Sequence, residues 1–216
     1  MGDPRYKPRK LIVEGDQDKR VIPWLMAANG ITWKTEDGVV FDITTSGGVD
    51  NITARKIKLQ LQESALVSLG LIVDADDDAD NRWTQIRGIC SNSISDLPEK
   101  LPAKGLVHLT AEEIKFGVWI MPDNSNRGML ETFLNYLIPD NSESLWQYAQ
   151  EVTQSAKQKG ANFKKTHIDK ANIYSWLAWQ DPPGQQLHDA VKQQILNPNH
   201  PRAHAFVTWF KELYDL

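Results

Sequence analysis

The sequence predicts an α/β fold: about four mainly parallel strands with helices on both faces, followed by a helical C-terminal extension. Three observations predict it. Short, almost wholly apolar runs recur through the first 125 residues, as expected of strands covered on both faces. Capped stretches of helical pattern separate those runs, and strands alternating with helices imply parallel βαβ units in a doubly wound sheet. After Gly128 the strand-like runs stop and helical pattern alone remains.

The elements follow in order. Residues 10–13 (KLIV) form a first strand that ends at Glu14 and Gly15. Residues 16–29 form a helix, with Asp16 as candidate N-cap and Asn29-Gly30 as its stop. Residues 39–44 (VVFDIT) are β-branched and strand-like, and they run into Ser46, Gly47 and Gly48. Asp50 or Asn51 then caps a helix whose apolar positions, Ile57, Leu61 and Ala65, stand four apart. Residues 69–73 are a third strand, broken at Asp74; residues 81–94 are the next helix. Residues 116–121 (FGVWIM) are a fourth strand, stopped by Pro122, Asp123 and Asn124. Residues 129–137 and 144–158 are candidate helices, and two apolar stripes follow: Leu187, Val191, Ile195, then Phe206, Phe210, Leu213. The chain divides into an α/β core, 1–125, and a helical part, 126–216, packed on it as one unit.

Composition narrows the function classes. The 216 residues suit one generous domain. The longest apolar stretch, residues 21–28, is interrupted by Pro23 and falls far short of the ~18 residues of a membrane helix. The basic N-terminus leads straight into the first strand, unlike a signal peptide. One cysteine, Cys90, excludes an internal disulfide and a cysteine-built zinc site. A cytoplasmic protein with no membrane partner is expected. The net charge is −4, but eight of the 28 acids lie in two short segments, 14–18 and 74–80. The remainder sets 24 basic residues against 20 acidic ones, which fits a metal site beside an anionic substrate. Acids that merely solvate loops are the alternative.

In open α/β sheets functional groups gather at the carboxyl ends of the strands. Each expected strand ends informatively: at Glu14-Gly15, at Ser46 to Gly48, at Asp74-Ala75-Asp76, and at Asp123-Asn124. Parallel strands would bring these groups to one rim. Asp74 and Asp76 can face one cation, and hard oxygen ligands favour Mg²⁺ or Mn²⁺. Gly47 and Gly48, before a helix, could hold a phosphate on backbone N–H groups, or simply turn the chain.

LIVEGDQD followed by LGLIVDADDD resembles the Toprim domain of topoisomerases, bacterial primases and OLD-type nucleases. Its hallmark is an apolar strand ending in Glu-Gly, here Glu14-Gly15, and a later one ending in Asp-x-Asp, here Asp74 and Asp76. The motif covers residues 10 to about 80. The segment GVWIMPDNSNRGMLE is similar to an uncharacterised bacterial Toprim-like family over most of the chain. The resemblance implies a Rossmann-like Toprim fold, Mg²⁺ or Mn²⁺ held by Asp74, Asp76 and Glu14, and Glu14 as ligand or general acid/base for phosphoryl transfer. Asp123, Glu131 and Asp78 are further candidate ligands, since some Toprim nucleases bind two metals. A calcium-binding EF-hand loop starting at Asp74 is excluded, because it would need Gly and Glu where Ala79 and Gln85 stand. Asp78 and Asp80 suit the N-terminus of the following helix.

Other constellations are missing or weak. The sequence has no P-loop, no G-x-G-x-x-G, no G-x-S-x-G and no H-E-x-x-H. His200 and His204 have Pro201 between them, against a helical zinc pair. Cys90 fits a buried thiol. Of eight Trp, those at 119, 176, 179 and 209 fall in apolar strand or helix pattern, where core packing outranks base stacking. Basic clusters at 5–10, 55–58 and 157–165 could track phosphates or be solvated faces. The expected function is Mg²⁺-dependent phosphoryl transfer by a nuclease acting on DNA or RNA, with partner subunits supplying any larger machine. The rivals are a non-catalytic Toprim-fold module binding nucleic acid or a protein, and a nucleotide phosphohydrolase.

Overall fold

The computed structural model describes residues 8–35, 38–64 and 66–216. In chain order the elements are β1 (Arg9–Val13), α1 (Asp16–Ala28), a short antiparallel pair β2 (Lys34–Thr35) and β3 (Gly38–Val39), β4 (Asp42–Thr45), α2 (Ala54–Leu61), β5 (Ser68–Asp74) and α3 (Ala79–Cys90). There follow β6 (Leu106–Leu109), β7 (Lys115–Met121), α4 (Leu130–Asn135), α5 (Glu143–Gln158), α6 (Ile168–Leu177), α7 (Leu187–Lys192) and α8 (His204–Tyr214). Five strands form one sheet in the order β4-β1-β5-β7-β6. The first four are parallel, with Ile12 beside Thr44 on one side and Leu71 on the other, and Leu71 beside Val118. Only β6 runs antiparallel, at the edge. The α/β architecture with C-terminal helices is the one expected.

Alternation along the strands sorts the core into two layers. Leu11, Val13, Ile72, Trp119 and Met121 face the layer that holds α1 and the C-terminal helices. Ile12, Leu71, Val73, Val118 and Ile120 face α2 and α3, where Ile57, Trp83, Ile86 and Cys90 meet them. Helix α8 seats where Gly70 and Gly117 lie side by side in register. A Cβ on Gly117 would stand 2.6 Å from Leu213 Cδ2, and one on Gly70 2.6 Å from the Tyr214 hydroxyl. That hydroxyl donates to the Lys10 carbonyl at 2.7 Å, closing the C-terminal helix onto the first strand.

Several boundaries shift for local reasons. The second strand of the sheet is β4, not 39–44, because Phe41 turns out of the ladder into an aromatic cluster with Trp33, Phe210 and Tyr214. Asp50 and Asn51 do not cap a helix. They lie in a single 3-10 turn, and α2 starts later under Thr53, whose Oγ1 accepts from the Lys56 N–H at 3.3 Å. Ile57 is buried, Leu61 half-buried, and Ala65 lies outside the described residues. The Asp16 cap moves back one residue to Gly15. Helix α3 starts at Ala79 because Asp78 caps it, its side chain accepting from the Asn81 N–H at 2.9 Å. Cys90 is buried, as are Trp119, Trp176 and Trp209, but Trp179 is exposed and lies against Tyr148. No helix among the described residues is long and apolar enough to cross a membrane.

Candidate functional site

Four parallel strands bring their carboxyl ends to one rim. There β1 delivers Glu14, β5 delivers Asp74, β4 leads into Ser46 to Gly48, and β7 leads towards Asp123. Glu14 and Asp74 are joined directly, the Asp74 N–H donating to Glu14 Oε2 at 3.1 Å. Asp74 Oδ1 accepts from the Leu130 N–H at 3.0 Å, which ties it to the start of α4. Two more acids arrive from first helical turns. Asp18 of α1 is 5% exposed; its Oδ2 accepts from the Gly15 N–H at 3.1 Å, and its buried Oδ1 has no partner among the described residues. Glu131 of α4 is 4% exposed and pairs with Lys170 of α6 at 2.9 Å. Glu14, Asp18, Asp74 and Glu131, with Gly47, Gly48, His167 and Lys170, line a cleft of about 390 Å³.

Burial sets the electrostatics of this cleft. It raises Asp74 well above an ordinary carboxyl, and the charges of Asp18, Glu14, Glu131 and Asp76 push the same way. Burial pushes Asp18 up to about 7 against the backbone N–H at Gly15, with Glu131 and Glu14 adding repulsion. Glu14 is raised too: burial and the Asp76 charge outweigh the Asp74 and Val49 N–H groups and Arg82. Carboxylates this crowded hold protons in common or need a cation between them.

The remaining expected residues stand differently. Asp76 lies on a left-handed backbone (φ 54°) bridged to Gly128, and its side chain, 48% exposed, pairs with Arg82 outside the cleft. Asp78 caps α3. Asp123 is locked into its own loop by the Asn126 N–H and the Tyr136 hydroxyl, both at 2.8 Å. Burial would raise its carboxyl, but those donors, the Asn126 side chain and the Ser125 N–H together hold it below the ordinary value. The N–H groups of Gly47 and Gly48, both at positive φ, each donate to the Glu14 carbonyl at 3.1 Å. They fix the Glu14 backbone and point at protein. Sequence reasoning missed Asp18 and Lys170 as site residues. Asp18 carried one signal, an acid at the third helical position after Gly15, where a side chain can reach back to the N-cap N–H.

By donor type alone the cleft suits a small hard cation: carboxylate oxygen throughout, with one buried oxygen, Asp18 Oδ1, that has no partner among the described residues. Among the described residues no three His, Cys, Asp or Glu side chains stand at metal-ligating spacing. Lys170 on Glu131 and Arg82 on Asp76 supply the positive charge at the rim.

The chain belongs to the family described as "Protein of unknown function (DUF3226)", whose model matches residues 8–215. No curated protein matches it. Among solved structures it is similar to the C-terminal region of the OLD protein of Xanthomonas campestris pv. campestris. The mercury-phased structure matches at 18% identity and a TM-score of 0.41, covering 97% of this chain and 89% of that one. The platinum-phased structure also matches at 18% and 0.41, covering 99% and 88%.

Proposed function

We propose that this DUF3226 protein is a Toprim-like enzyme of metal-dependent phosphoryl transfer, a nuclease acting on DNA or RNA. One observation carries the reading: Glu14, Asp18, Asp74 and Glu131 leave four separate elements to line one cleft, where burial raises three of them. A structural role alone gives no reason to gather buried like charges, since each costs stability unless protonated or matched.

Asp74 and Asp18 would hold Mg²⁺ or Mn²⁺, with Glu131 joining on release of Lys170 and Asp76 on release of Arg82. Asp123 and Asp78, each committed to its own backbone, stand lower in this ranking. The bound cation would supply charge to offset a scissile phosphate and acidify a water. Glu14, raised in pKa and clamped by the Gly47 and Gly48 N–H groups at its carbonyl, is the general acid/base at the strand end.

The test is cleavage against binding in one variant. Wild type with Mn²⁺ should cut a single- or double-stranded DNA or RNA substrate. Glu14→Gln keeps the size and one acceptor oxygen but removes the charge, so cleavage should fall at least ~10²-fold while binding survives. Binding without cleavage by wild type would turn the assignment to a non-catalytic module. Hydrolysis of free nucleotides alone would turn it to a phosphohydrolase.

A further inference from the structure

We propose that a groove on the outer face of α1 is a binding site for single-stranded nucleic acid, stacking a base on Trp24 and meeting phosphates with Lys19, Arg20 and Lys192. The proposal rests on the nuclease reading above and names how the substrate would be held. Helix α1 has two working faces. Val21, Ile22, Leu25 and Met26 are buried against the sheet, whereas Lys19, Pro23 and Ala27, with Arg20 and Trp24 beside them, line the groove. Trp33 and Ile43 close one wall, the latter from β4 at the sheet edge, and His188 of α7 closes the other. The volume is about 650 Å³, within the ~300–1,000 Å³ of small-ligand sites.

Three features favour a nucleic-acid strand over an apolar occupant. Trp24 is 39% exposed although it sits mid-helix, where burial of so large a ring is the norm. Lys192 Nζ lies over one face of the Trp24 ring, 4.6 Å from its centroid, so a base must take the other face or displace the lysine, which then stands beside its phosphate. Lys19 and Arg20 make no ion pair among the described residues, unlike Lys10, Arg82 and Lys115. Aromatic faces flanked by cations are the usual platform for bases and backbone together.

Position matters as much as composition. The groove begins one residue beyond the buried Asp18 of the acidic cleft. At ~1.5 Å per helical residue, Trp24 stands about 9 Å further along the axis of α1 than Asp18. The groove and the acidic cleft share no lining residue but meet at neighbouring positions of α1, Lys19 and Asp18. His188 keeps Nδ1 without a hydrogen-bond partner among the described residues, although its Nε2 is 3.6 Å from Asp189.

The test is fluorescence anisotropy of labelled oligothymidylate and oligouridylate in EDTA, where no metal chemistry occurs, with a duplex of equal length in parallel. Wild type should bind the single strands, and Trp24→Ala should weaken them about tenfold, the effect of losing one stacked base. The paired change Lys19→Glu, Arg20→Glu lies wholly on exposed side chains. It should also weaken binding and flatten its dependence on salt, and it decides the matter if Trp24→Ala fails to fold. Tyr148→Ala, an exposed aromatic elsewhere, should bind as wild type does. Absence of single-strand binding, or equal affinity in wild type and both groove variants, would overturn the groove. Trp24-dependent binding in a protein that cuts nothing with Mn²⁺ would leave the groove standing and sink the nuclease reading alone.

Discussion

Asp74 and Asp78 stand four residues apart in one acidic run, yet they do opposite things. Asp74 is at the end of a central strand, hydrogen-bonded to α4, with Glu14 and Asp18 as neighbours and its proton held far above the ordinary range. Asp78 is exposed and spends its carboxylate on the first turn of α3. Asp76, between them, is drawn outward by Arg82. Five acids within seven residues therefore make no single site. Whether a carboxylate is buried in the cleft here depends on which side of the strand end it falls, and on what the distant helix α4 places over it.

The largest effect that would sharpen this contrast is catalytic. Asp74→Asn should cut Mn²⁺-dependent cleavage by roughly 10²-fold or more, whereas Asp78→Asn should leave the rate at wild type. Equal losses in both would mean that the acidic run works as one unit, breaking the comparison.

Next comes pH. The folded pKa of Asp18, about 7, lies above its ordinary 3.8, so between those values the native state binds more protons than the unfolded chain. The Asp18 contribution is complete below about pH 4 and is lost as pH rises towards 7. Three units at ~1.36 kcal/mol each bound it at roughly 4 kcal/mol. Denaturation in chelator from pH 4.5 to 8 should show stability falling, and Asp18→Asn should flatten the slope. Adding Mg²⁺ should restore the wild type at pH 8, since a ligand that binds only the folded state raises stability. The same slope in Asp18→Asn would place the titration elsewhere.

Smaller effects should mark the outer acids. Asp78→Ala removes the cap of α3 and should cost about 1 kcal/mol in urea denaturation. Asp76→Asn breaks a half-exposed pair and should cost ~0–1 kcal/mol. A change of several kcal/mol there would show that Arg82 is held for the cleft. The smallest expected signal is chemical. Burial pushes the Cys90 thiol up to about 12, so native protein should leave a thiol reagent unreacted for as long as it stays folded.

The strands that carry the rim were legible because buried strands read as apolar runs, and both Glu14 and Asp74 interrupt such a run. Their meeting across β1 and β5 followed from parallel pairing alone. Asp18 was opaque for a definite reason. Asp16 and Asp18 are both acids in the first turn of α1, and nothing local tells that only Asp18 is buried, in a cleft it shares with Glu131 of α4 more than a hundred residues later. Edge strand β6 escaped because LVHL is short, and only Leu106 of its four residues is buried. The glycines at 47 and 48 fitted a phosphate loop as well as a turn; their N–H groups meet the Glu14 carbonyl.

Helix α8 seats on Gly70 and Gly117 and reaches the backbone of β1 through Tyr214, 204 residues from Lys10. A ribosome makes β1 first and that helix much later. During synthesis one face of the sheet, including Leu11, Ile72 and Trp119, therefore waits with α1 but without the C-terminal part of its cover. Long-range closure of this kind slows folding and prolongs exposure of apolar surface in the nascent chain. Premature termination before α8 would leave that face open, so a truncated product should be a client for chaperones and proteases.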